Sequence, residues 1–201
     1  MGKMNLLKAN YEGKVGQTVG AKWKNLSTLR TFTKPSNPNT EAQQTVRSGF
    51  KDVNAFVALF ADQIRYKSAL NTAGMSVRNA IVKLNSEMVS GNSFNKANLV
   101  ISKGGLQKVA GEAATATDGK ITVTWTAPTA TNFTEDAALI AVCVQEASGM
   151  VEVIEAKATD LTAEGTLTFE AGTVDVYVYY LDKRGSNKIA SLSDYIAVTV
   201  A

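Results

Sequence analysis

The hydrophobic residues of this chain repeat with two different periods, and the change of period limits the possible folds more than any other feature. An apolar stripe at helical spacing comes first, formed by Val46, Phe50, Val53, Val57, Phe60 and Ile64. From Gly119 onward apolar and polar residues alternate, which is the period of a strand with one buried face. We therefore expect an α+β chain, with helices in the first half and an antiparallel sheet in the second.

The first helix has a clear predicted start. Thr40-Glu41-Ala42-Gln43 has the residue types of a capping box, in which Thr40 caps the first free amides and Gln43 reaches back. Prolines at 35 and 38 keep the preceding segment out of a helix. A second stripe, predicting a helix around 75–90, consists of Val77, Ile81, Leu84 and Met88. The two helices could pack as a helical hairpin, and we expect both stripes to be core.

Upstream of the helices the chain is predicted to form an extended arm with a β-hairpin that turns near Asn25-Leu26-Ser27. The glycines at 13, 16 and 20 fit neither a phosphate loop nor a dinucleotide fingerprint, so we interpret them as turns and bulges. Such an arm is marginally stable alone and gains stability by pairing with a neighbour. The candidate subunit-contact residues of this half are Lys14, Lys22, Trp23, Lys24, Arg30, Phe32 and Arg47.

The second half is predicted to be an antiparallel β-sandwich of the immunoglobulin or fibronectin-III type, without a disulfide. One strand surrounds Val123, and the others are predicted at Ala138–Glu146, Val151–Ala158, Gly165–Glu170, Val174–Asp182 and Ile196–Val200. We expect Trp125 in the core. Because side chains alternate along a strand, Tyr177 and Tyr179 share one face and Tyr180 lies on the other.

Charge changes sign between the halves. Residues 1–102 carry 14 Lys and Arg against 5 Asp and Glu, a net charge of +9, whereas residues 103–201 carry 7 against 13, a net charge of −6. The loop-like Ser102-Lys103-Gly104-Gly105 lies at this point. We predict an N-terminal assembly domain over 1–102 and a C-terminal sandwich over 103–201. The opposed charges reflect either two separately solvated surfaces or head-to-tail assembly of identical copies.

Composition excludes several kinds of active site. The chain has no His, so it cannot hold a His-based triad or a His-ligated zinc or haem. Its one cysteine, Cys143, cannot form an internal disulfide, and we expect it to be reduced and buried. No catalytic motif stands out. We expect no enzymatic activity, no cofactor and no metal.

Membranes and nucleic acids are not expected as partners either. No run approaches the length of a membrane-spanning helix, and the first residues lack the apolar stretch of a signal peptide. Basic residues around Trp23 and Phe32 are the raw material of a nucleic-acid surface, but no recognised motif accompanies them.

One block of the N-terminal half is distinctive: Asn37-Pro38-Asn39-Thr40-Glu41-Ala42-Gln43-Gln44, followed by Arg47 and Phe50. With it the chain resembles an uncharacterised family of Bacteroidetes and of the crAss-like phages that infect them. The resemblance covers mainly residues 1–100 and continues into Val100-Ile101-Ser102-Lys103-Gly104. It implies a structural protein of the virion, assembled in the host bacterial cytoplasm.

This resemblance implies a homo-oligomer whose partners are copies of itself and other virion proteins. We expect a ring in the neck, connector or tail, with the N-terminal arm and helices touching neighbouring subunits. Within the same class, a head fibre or capsid-decoration protein is the alternative. From a different class comes a host-surface or carbohydrate-binding module. Exposed aromatic residues on the sandwich would favour that module, and burial of Tyr177 and Tyr179 would count against it.

Overall fold

The computed structural model of the protein describes residues 13–23, 26–34, 36, 38–64, 74–89, 94–130, 133–182 and 189–201. Lys24, one of the predicted contact residues, lies outside this part of the chain, as do the side chains of Lys22 and Trp23. The chain divides into two compact units, Met1–Thr40 and Glu41–Ala201.

The first unit contains a three-stranded antiparallel sheet in the order β1-β2-β3. Its strands are β1 (Gly13–Val15), β2 (Thr18–Trp23) and β3 (Leu26–Thr31). Gly16 has a φ of 57° in the turn between β1 and β2, a conformation that glycine adopts without strain. β2 and β3 pair along their whole length, from Thr18 with Thr31 to Trp23 with Leu26. The predicted hairpin is confirmed, and β1 adds a further strand to it.

The second unit begins with helices. They are α1 (Glu41–Phe60), α2 (Val77–Leu84) and α3 (Ser86–Val89). The predicted start after Thr40 is confirmed. The helix expected around 75–90 is instead two helices that meet at Asn85. Ser76 caps α2 by accepting a hydrogen bond of 3.2 Å from the Asn79 amide.

Two antiparallel sheets follow the helices. The larger one contains β6 (Ala137–Gln145), β7 (Met150–Lys157), β9 (Gly172–Asp182), β10 (Ile189–Ala190) and β11 (Asp194–Val200). Its strand order is β7-β6-β9, and both β10 and β11 pair with β9. The smaller sheet, in the order β4-β5-β8, contains β4 (Ala113–Thr117), β5 (Lys120–Thr124) and β8 (Thr162–Glu164).

The larger sheet is covered on both faces. One face shares a core with the helices, formed in part by Val53, Phe60, Ile81, Ile140, Tyr177 and Tyr179. The other face shares a core with the smaller sheet, formed in part by Ile121, Trp125, Leu139, Val176 and Tyr180. Every residue of β6 is buried because both of its faces are covered. The predicted burial of Trp125 and the predicted division of the three tyrosines are confirmed.

Two further predictions differ from the structure. The helices share a core with the sheet, so the compact units divide after Thr40 and not at the predicted boundary of 102/103. The strand predicted at Gly165–Glu170 is wrong, because β8 ends at Glu164 and irregular chain follows. The Glu152 carboxylate accepts hydrogen bonds from the amides of Thr166 and Leu167, so those amides do not bond to a neighbouring strand. The fold is mixed and largely antiparallel β.

Candidate functional site

Two of the predicted contact residues, Lys14 and Arg30, lie in the same row of the N-terminal sheet, on either side of Val19. Val19 pairs with Lys14 on one side and with Arg30 on the other. Residues that pair across antiparallel strands point to the same face, so Lys14 and Arg30 flank Val19 on one surface. Both cations are exposed. We call this surface, formed by Lys14, Val19, Arg30 and Phe32, the cationic face.

Phe32 completes the cationic face. Its amide donates a hydrogen bond of 2.7 Å to the Gln17 carbonyl, which continues the strand pairing one step beyond β3. The Lys14 Nζ lies 3.6 Å from the centroid of the Phe32 ring, within the range of a cation–π contact. The structure therefore brings Lys14, Arg30 and Phe32 together, as the sequence could only suggest from their proximity along the chain.

The next row of the sheet carries no charge. Gly20 pairs with Gly13 on one side and with Leu29 on the other. This row points to the opposite face, because side chains alternate along each strand. The two glycines leave Leu29 as the only large side chain in the row.

The side chains of Lys22 and Trp23, and the whole of Lys24, lie outside the described part of the chain. Lys22 and Trp23 occupy register positions opposite Ser27 and Leu26 in the strand pairing. Arg47 lies on α1 and so belongs to the second unit.

Among the side chains that are described, the N-terminal sheet has no apolar core. The buried hydrophobic residues begin at Val53, and among the side chains described in this unit Val15, Leu29 and Phe32 are exposed while Val19 is half-buried. Val15 is 62% exposed, Leu29 38% and Phe32 41%. A sheet of three short strands needs a buried apolar face or a packing partner for independent stability. The side chains described here therefore give this sheet no buried apolar face of its own.

Helix α1 also leaves apolar side chains at the surface. Val46 and Phe50 are 39% and 38% exposed, whereas Val53 and Phe60 are fully buried. The expectation that the whole stripe is core is correct from Val53 onward and wrong for its first two members. The helix shares its core with the sheet only from Val53 on, so the first turns lack that cover.

An ionic network around the buried Asp175 in the second unit had no signal in the sequence. The Lys96 Nζ lies 2.6 Å from Glu146 and 3.0 Å from Asp175, and the Tyr195 hydroxyl donates to Asp175 at 2.7 Å. Burial opposes the charge of Lys96, but hydrogen bonds to the two carboxylates outweigh it and raise the Lys96 pKa. Burial, together with the bond to Asp175, raises the pKa of Tyr195 to about 12.

This network has a structural consequence. Lys96 is the first residue of a short 3-10 helix, Lys96–Asn98. The Tyr177 hydroxyl donates a hydrogen bond of 3.0 Å to the backbone carbonyl of Lys96. Asp175 and Tyr177 belong to β9, so both ends of Lys96 are attached to the larger sheet. The partners are about 80 residues apart in the chain, and no local pattern connects them.

The segment Val100–Gly104, one of those that carry the family resemblance, is held by buried side chains. Asn85 donates to the Val100 carbonyl at 2.7 Å and accepts from the Val100 amide at 2.8 Å, in the manner of a neighbouring strand. Ser193 accepts from the Ile101 amide at 3.0 Å, and Ser102 donates to the Ser191 carbonyl at 2.8 Å. These contacts give the motif a role in the fold.

Within the described ranges, no three His, Cys, Asp or Glu side chains gather as metal ligands do. None of the helices described there combines the length and apolar character needed to cross a membrane. Cys143 is free and buried, and burial together with the charge of Glu152 raises its pKa to about 12. A thiol with that pKa stays protonated near neutral pH and is a weak nucleophile.

Comparison with known proteins gives one family. The model of a family of unknown function, DUF6266, matches residues 10–197, a range that includes the helices and every strand except the last three residues of β11. The comparison with curated proteins gives no match. Since the match covers most of the chain, this protein belongs to the DUF6266 family.

Proposed function

We propose that this protein is a non-enzymatic structural subunit of a tailed bacteriophage virion, and that it forms a ring in the neck, connector or tail. The observation that carries the proposal is the N-terminal sheet, which is a separate compact unit without a buried apolar side chain among those described. Such a sheet is stabilised when a neighbouring subunit covers it. In a closed ring every copy makes the same contact with the next copy, so every N-terminal sheet could be covered in the same way.

The body of the protein supports a role as a rigid module. We propose that its two sheets form an immunoglobulin-like sandwich, since they share one core around Trp125 and Tyr180. The helices cover the outer face of the larger sheet. In an assembled particle this body would face outward or contact the next ring. The phage setting and the virion location rest on the family resemblance of the N-terminal half.

A carbohydrate-binding module has less support. A sugar-binding site on a sandwich domain would present aromatic rings to solvent, and burial of Tyr177 and Tyr179 counts against one here. Both side chains are almost fully buried, at 0% and 1% exposure. A head fibre or capsid-decoration protein stays within the structural class and would also use the N-terminal unit for attachment.

Native mass measurement tests the proposal. We would compare the purified full chain with a chain lacking residues 1–36 by native mass spectrometry or light scattering. A discrete multimer that dissociates when the arm is removed is the expected result. Circular dichroism of the truncated chain checks that the body is still folded. Monomers in both samples would contradict assembly through the N-terminal unit.

A further inference from the structure

We infer that the cationic face docks against an acidic surface of a second copy of the chain, so that successive copies join head to tail. This inference rests on the proposed function and names the contact that would build the assembly. Its starting point is the row formed by Lys14, Val19 and Arg30. In this row one exposed cation lies on each side of a half-buried apolar residue.

The strands that carry these cations contain no acidic residue, and the nearest acidic residues in sequence are Glu12 and Glu41. Between Gly13 and Asn39 the chain contains no Asp or Glu. Neither Lys14 nor Arg30 belongs to the four ion pairs described between Lys96 and Asp194. The cationic face is therefore a concentration of positive charge that its own strands do not neutralise.

The complementary charge is in the same chain. Residues 1–40 carry 7 Lys and Arg against 1 Asp or Glu, a net charge of +6, and residues 41–201 carry 14 against 17, a net charge of −3. The division of the chain into units therefore separates the charges. Every copy brings both signs to an assembly, and complementary potentials favour contact between unlike surfaces. A contact between unlike surfaces is heterologous, the kind that closes rings.

Nucleic acid is a poorer occupant of this face. Proteins that bind single strands stack bases on exposed aromatic rings. The aromatic side chain described on this face is Phe32, and the Lys14 ammonium group covers one side of its ring at 3.6 Å. A second protein surface needs no free ring. It would also cover Val19 and Phe32, which removes apolar area from water.

The test compares full-length variants by sedimentation or native mass at 0.1 M and 1 M NaCl. Lys14→Gln combined with Arg30→Gln removes two charges from the cationic face. Lys103→Gln combined with Lys157→Gln removes two exposed charges from the body and serves as the matched control. We expect the first pair to weaken self-association about tenfold at 0.1 M salt. The control pair should leave the strength of self-association within about twofold of the wild-type value.

Salt gives a second criterion. The Debye length falls from about 10 Å at 0.1 M to about 3 Å at 1 M, so the wild-type multimer should dissociate as salt rises. A multimer that is indifferent to salt and to Lys14→Gln/Arg30→Gln overturns the inference. If that multimer is still lost when residues 1–36 are removed, the proposed function stands and this contact alone fails. A wild-type chain that stays monomeric but binds a single-stranded oligonucleotide would overturn both.

Discussion

At the scale of single residues, Gly104 shows how a family-like motif serves the fold. A Cβ at this position would overlap the Ala190 carbonyl oxygen, which is backbone and cannot rotate away. The same carbonyl accepts a hydrogen bond of 3.1 Å from the Leu106 amide. The chain between these residues can approach β10 this closely only without a side chain at 104. Gly105 has no atom within 4 Å of its own Cβ position.

Substituting each of these two glycines gives a matched pair. Gly104→Ala should lower the free energy of unfolding by roughly 1–3 kcal/mol, because the added methyl forces the backbone of Gly104 and Ala190 apart. Gly105→Ala should leave it within about 0.5 kcal/mol of wild type. Urea denaturation of both variants measures the difference. Equal losses would contradict the close approach at Ala190.

The sequence predicts a loop at these glycines but cannot distinguish between them. Two adjacent glycines with the same neighbours have the same local pattern, and the partner of Gly104 lies 86 positions further along. The same limit applies to Asn85, which looks like an ordinary polar residue within a helical stripe. Its bonds to Val100 become visible only when the chain is folded.

At the scale of elements, α1 has a stripe whose two ends meet different surroundings. Phe56 and Phe60 pack with their ring centroids 5.7 Å apart, and Phe60 stacks near Tyr177 of the larger sheet. Phe50 belongs to the same predicted stripe but remains 38% exposed. Helical periodicity identifies the face of a helix that is apolar. It does not show how far along the helix the neighbouring sheet extends.

The two phenylalanines of the stripe test this difference within one helix. Phe60→Ala should lower the free energy of unfolding by about 3–5 kcal/mol, because it opens a cavity in the core under the sheet. Phe50→Ala should lower it by only about 1 kcal/mol, since much of that ring already contacts water. Thermal or urea unfolding of the two variants gives the comparison. A larger loss for Phe50→Ala would mean that the first turns of α1 are covered in solution.

The sequence of the larger sheet does contain a signal for its second covered face. Ala138–Val144 in β6 is an uninterrupted apolar run, and β9 has few polar residues between Val174 and Leu181. Strands that read this way are buried on both faces, whereas alternating strands have one face in water. Helices that pack only on each other as a hairpin would leave these runs without a second cover, whereas in the structure the helices cover one face of the sheet. The order of strands, by contrast, depends on pairs far apart in sequence.

At the scale of the whole molecule, ionisable groups in the second unit respond to alkaline pH in one direction. Burial raises the pKa values of Cys143, Tyr180 and Tyr195 to about 12, and it raises that of Tyr177 as well. These four groups are favoured in their neutral form by folding. Lys96 is favoured in its charged form, held by Glu146 and Asp175, and its pKa is also raised.

The sign of the pH dependence is the same for all five groups. Each binds its proton more tightly in the folded state than in the unfolded chain, so stability falls wherever the unfolded chain has lost protons that the native state still holds. These groups contribute their full stabilisation of the folded state below their unfolded-state pKa values, which are near 9 for Cys and 10 for Tyr. It is lost as the pH rises from there toward the folded-state values.

We therefore expect the free energy of unfolding to be flat between pH 7 and 8.5 and to decline steadily from about pH 9 to 11. Tyr195→Phe identifies one contribution to this decline. The variant loses the hydroxyl bond to Asp175, so it should be less stable than wild type at pH 7, and it should lose less than wild type between pH 10 and 11. Urea denaturation at a series of pH values measures both curves. Parallel curves for variant and wild type would show that the Tyr195 proton is not linked to folding, and a stability that is constant up to pH 11 would contradict the coupling for the whole set.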